Sequence, residues 1–128
     1  MNVEELIPKN KHDFESVEKL KTYALEDLRP ILPELLEWLQ DMNWPIASEL
    51  QKIIVNFEIE LVPHIQRILQ TDDGVWKYWI LSSLLNELPN YIVTELRSDL
   101  ERIRDYPTDD EIAEELGEIV EVLLKRGA

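Results

Sequence analysis

Apolar residues in this chain recur every three or four positions, and nowhere do they alternate with polar ones long enough to make a strand. Proline and Asn/Asp positions cut the pattern into about seven helix-sized pieces. The first starts at Asp13, a capping residue, and carries Phe14, Val17, Leu20 and Tyr23 on one face. The second runs from about Arg29 to Gln40, with Pro30 and Pro33 in its first turns, where a missing N–H does least harm. Its stripe is Leu32, Leu35, Leu36 and Leu39. Asn43 is predicted to cap the third, which has Pro45 just inside and Ile46, Leu50, Ile53, Ile54 and Phe57 facing the core.

A fourth helix is predicted from about Glu60 to Gln70, with Leu61, Ile65, Ile68 and Leu69 inward. Asp72 and Asp73 cap the fifth, "GVWKYWILSSLLNEL", which is apolar around most of its circumference and therefore belongs in the middle of a domain. Trp79 is expected in its core stripe with Ile80, Leu84 and Leu88. The sixth spans about Asn90 to Asp105. Thr108 and Glu111 have capping-box spacing and open the seventh, whose face is Ile112, Leu116, Ile119, Val120 and Leu123.

Pieces two, four and six align as "ILPELLEWL", "LVPHIQRIL" and "IVTELRSDL". The linkers "DMNWP" and "DDGVW" each place an acid shortly before a tryptophan, giving a period of about 31 residues, within the range of helical-hairpin repeats. Short amphipathic pairs bury their apolar surface by stacking, so the pattern predicts an all-α chain. Residues 1–128 are read as a single domain: three hairpins plus a C-terminal helix in a short right-handed superhelix.

The segments "LIPKNKHD", "LPELLEWLQDMNWPIA" and "DDGVWKYWIL" resemble a bacterial family of small proteins of unknown function, over roughly residues 6 to 105. The resemblance implies a HEAT-like alpha-alpha superhelix of the armadillo type and a bacterial origin. It implies no catalytic residues, and the acidic C-terminal helix lies outside the resembling segments.

Charge narrows the function classes. With 27 acidic and 13 basic side chains the net charge is -14, which repels phosphate backbones and anionic membranes and attracts basic partners. Neither nucleic acid nor a membrane is expected as a partner. Cysteine is absent, which removes disulfides and thiolate chemistry. No uninterrupted apolar run approaches the roughly 20 residues that span a bilayer, and "MNVEELIPKNKHDFE" has no basic-then-apolar leader, so a cytoplasmic setting is expected.

No catalytic, metal or cofactor site is expected. His12 and His64 are far apart, with no second histidine at the helical spacing of zinc motifs, and no P-loop, dinucleotide fingerprint or EF-hand loop is present. The acids Asp109, Asp110, Glu111, Glu114, Glu115, Glu118 and Glu121 read as a solvated outer face. Aromatics beside carboxylates are the strongest candidate chemistry, because rings and acids together hold basic or amphipathic peptides. The residues are Trp38, Asp41, Asn43, Trp44, Trp76, Lys77 and Tyr78, with His64, Arg67 and Arg97 on the inner helices. The same rings are also suited to wedging successive hairpins together, Trp44 above all, with Trp38 and Tyr78 the more exposed. The leading reading is a non-enzymatic module for a protein or peptide partner, one favoured to be basic. The alternatives are an immunity or antitoxin-like protein capping a basic toxin, and a small-molecule enzyme using helix-borne carboxylates.

Overall fold

The computed structural model describes residues 2–127. The chain is all-helical, with no strand among the described residues. It forms two compact units, one ending at Phe57 and one beginning at Glu58.

The first unit opens with a 3-10 turn, Val3–Leu6, followed by α1 (Phe14–Leu20). Asp13 caps α1, its carboxylate accepting from the Ser16 N–H, as predicted. Phe14, expected inward, is exposed, while Val17 and Leu20 are fully buried. Next come α2 (Leu25–Leu28), a 3-10 turn at Arg29–Ile31, and α3 (Leu32–Glu37). The second predicted helix therefore begins a turn earlier, and it tightens at Pro30, which lacks the N–H of a regular turn. Its predicted stripe, Leu32, Leu35, Leu36 and Leu39, is buried throughout.

Asn43 does not cap the next helix, because α4 (Ala47–Ile54) starts later, and its flanking residue Ile46 has no capping side chain. Asp41 takes the local role, its carboxylate accepting from the Asn43 N–H at 2.8 Å in an Asx turn. The α4 stripe is buried as predicted: Ile46, Leu50, Ile53, Ile54 and, beyond the helix, Phe57.

The second unit begins at a kink. Glu58 has φ 48° and ψ -116° inside the 3-10 segment Val55–Leu61, and the Tyr91 hydroxyl donates to its carboxylate. α5 (Val62–Leu69) buries Ile65, Ile68 and Leu69, and α6 (Gly74–Trp79) is capped by Asp73. α6 then widens into a π-turn over Ile80–Leu84 and tightens again at Leu85–Glu87. The extra residue in the wide turn shifts the helical register. Ile80, Leu84 and Leu88 are buried as expected, but Trp79, expected with them in the core, is half-buried, and its ring meets Tyr78 edge to face with centroids 4.9 Å apart.

The sixth predicted helix is two, α7 (Asn90–Glu95) and α8 (Arg97–Asp105), broken at Leu96. The seventh is also two, α9 (Asp109–Ala113) and α10 (Leu116–Arg126), separated by Glu115 in the left-handed conformation, φ 53°. Ile112, placed in the core by periodicity, is 59% exposed because the break turns α9 off the α10 stripe. Leu116, Val120 and Leu123 are buried, and Ile119 is half-buried.

Stacking within this unit follows a near-constant offset. Gln66 bonds Asp99, and the Arg102 guanidinium reaches the Leu69 carbonyl, each 33 residues apart. Lys77 reaches Glu111 across 34. Side chains 33 or 34 residues apart thus lie beside each other, a spacing near the period of about 31 read from the sequence.

Candidate functional site

In the first unit, the end of α3 and the turn after it bring Trp38 and Trp44 together. Both are half-buried, with ring centroids 5.4 Å apart and planes inclined at 69°. Edge-to-face contact sets the positive rim of one ring against the negative face of the other, worth about 0.5–1.5 kcal/mol beyond area burial. The rings, with Ile7 and Pro8, line a shallow notch of about 350 Å³ rimmed by Glu34 and Glu37. Both glutamates are exposed, and neither is paired with a cation among the described residues. Asp41 and Asn43 shape the turn that presents Trp44, whose N–H donates to the Asp41 carbonyl.

The remaining sequence-predicted residues belong to the second unit. His64 is half-buried on α5, and its Nδ1 has no partner among the described residues. Burial, then the neighbouring Arg67 charge, holds its imidazole below the usual histidine range and favours the neutral form. Arg67 is exposed. Arg97 on α8 is also exposed, 3.7 Å from Glu101. Trp76 lines an open hollow beside Asp72 and Glu114, and Tyr78 is half-buried against Trp79.

Lys77 departs from its predicted place on an accessible edge. Its side chain is 1% exposed, with the ammonium 2.8 Å from Asp110 Oδ2 and 2.8 Å from Glu111 Oε2. The reason is a counter-charge from a later helix. Glu111, expected on a solvated face, is fully buried and also accepts a bidentate pair from Arg102 at 2.6 and 2.7 Å. Its Oε1 accepts the Thr108 N–H as well, completing the predicted capping box. A carboxylate has about four lone-pair positions, and here each is taken by a donor. Burial alone would push the Glu111 carboxyl up, but the hydrogen bonds from Arg102, Lys77 and Thr108 outweigh it and bring the pKa down to about 2. Two cations and two anions make the cluster neutral. It braces α6, α8 and α9, and a carboxylate saturated in this way has no lone pair free to take a proton from a substrate.

Sequence reading missed this cluster although one signal was present. A lysine inside a helix that is apolar nearly all round needs a buried anion, and the capping-box glutamate was available.

The chain belongs to the DUF5071 family. Its model, a domain of unknown function, matches residues 6–124. The match ends inside α10, so most of the acidic C-terminal helix, which the resembling segments left out, is part of the family domain. No curated protein matches the chain. No helix among the described residues is long and apolar enough to cross a membrane.

Proposed function

We propose that the chain is a non-enzymatic binding module that seats basic, amphipathic peptide segments in the Trp38–Trp44 notch. The observation that carries this reading is the edge-to-face tryptophan pair opening between Glu34 and Glu37, which have no cationic partner among the described residues. The rings offer apolar area and a cation-π surface worth about 0.5–2 kcal/mol per cation. The glutamates supply the opposite charge, and the net charge of -14 steers basic partners toward the molecule. The most strongly shifted carboxylate, Glu111, lies elsewhere, sealed and saturated, which supports binding over acid–base chemistry.

Titration calorimetry with short lysine–leucine peptides tests it. Trp38→Ala should weaken binding roughly tenfold, the loss of one ring contact. Raising the salt concentration should weaken it further, because the rim charges are exposed. Affinity unchanged in Trp38→Ala would overturn the reading.

A further inference from the structure

The acid-to-tryptophan spacing that builds the first notch returns one repeat later. Asp41-Met42-Asn43-Trp44 in the first unit corresponds to Asp73-Gly74-Val75-Trp76 in the second. In both, the aspartate is fixed by a backbone N–H just downstream, from Asn43 at 2.8 Å and from Trp76 at 3.0 Å. In both, the tryptophan lines a surface depression bordered by carboxylates.

The second depression is the larger, about 590 Å³. Its shape depends on Gly74: a Cβ there would sit 2.5 Å from the Asp110 carbonyl oxygen, so the starts of α6 and α9 approach closely only because that position lacks a side chain. Val75, 46% exposed, joins Trp76 and Ala113 in an apolar wall. The Trp76 indole N–H is buried with no acceptor among the described residues, so the ring presents its carbon face and edge to the hollow. Asp72 and Glu114 stand on the border with no cationic partner among the described residues. The nearest lysine in sequence, Lys77, cannot serve them, since its buried ammonium is committed to Asp110 and Glu111.

We infer that the chain is bivalent, with this hollow as a second seat for a basic, amphipathic peptide segment. The class of ligand rests on the reading above; the seat rests on its own residues. Apolar side chains of the ligand lie on Trp76 and Val75, and its guanidinium or ammonium groups face Asp72 and Glu114. Two seats on one chain raise the avidity for a partner carrying two such segments, provided both can be engaged together.

Calorimetry with a blocked hexapeptide of alternating arginine and leucine, long enough for one seat only, tests the valency. The neutral, near-isosteric pairs Asp72→Asn with Glu114→Gln, and Glu34→Gln with Glu37→Gln, alter surface carboxylates and leave both cores intact. Two equivalents per chain are expected, falling to one in either double variant. The seat that remains should keep its affinity within about twofold, since the two seats share no lining residue. One equivalent that survives Asp72→Asn with Glu114→Gln would overturn the second seat and leave the first. One equivalent lost in that variant alone would sustain the hollow and overturn the Trp38–Trp44 reading. Absence of binding, or a diffuse attraction that both variants weaken equally without a change in stoichiometry, would overturn both.

Discussion

At Lys77 an ammonium group sits with 1% of its side chain exposed, in ion pairs with Asp110 and Glu111. Removing Lys77 takes one counter-charge from the fully buried Glu111 and from the mostly buried Asp110, so Lys77→Met should destabilise the fold by about 3 kcal/mol in urea melts. Arg97→Ala provides the contrast. Its pair with Glu101 is half in solvent at 3.7 Å, and its loss should cost under about 0.5 kcal/mol. Burial decides between two pairs that look alike on paper. The Asp73 cap was legible because it acts on backbone only three positions away, whereas at the first motif the sequence assigned the cap to Asn43 and the structure gives the turn to Asp41. Lys77 was not legible, because its partners come from a helix that starts some thirty residues later.

Each long apolar stripe marked a helical segment, and most of its positions are buried. The stripes did not mark the breaks. Leu96, with φ -96° and ψ 4°, divides α7 from α8, and Glu115 divides α9 from α10, with no proline or glycine at either position. A break without a breaker residue leaves no trace in periodicity, since it is imposed by what the two halves pack against. Glu115 holds the left-handed conformation at φ 53° and ψ 43° with an exposed side chain. Glu115→Gly should therefore raise stability by about 0.5–1 kcal/mol in thermal melts, relieving left-handed strain at some cost in chain entropy. At Glu58 the same exchange would surrender the hydrogen bond from Tyr91.

For the molecule as a whole, acidity acts in two opposing ways. Lowering the pH from 7 relieves the repulsion of a net charge of -14, which favours the compact state. Glu111 works against this. Its carboxyl falls from 4.5 to about 2 on folding, so the stability it confers is complete above the unfolded value and drains away as pH falls toward the folded one. That contribution is roughly 3 kcal/mol at neutral pH, with roughly 2 kcal/mol of it gone by about pH 3. The difference in urea stability between the native chain and Glu111→Gln cancels the repulsion common to both. It should stay level above about pH 6 and narrow steadily below about pH 4. A difference that did not change with pH would rule out a depressed Glu111. The amino-acid sequence alone determined the helical class, the buried stripes, the caps at Asp13, Asp73 and Thr108, and the acidic field, because these depend on neighbours within a turn or on simple sums. Tertiary structure decided which acids are buried, where helices break and which tryptophans border open space, because those outcomes depend on groups brought together from distant parts of the chain.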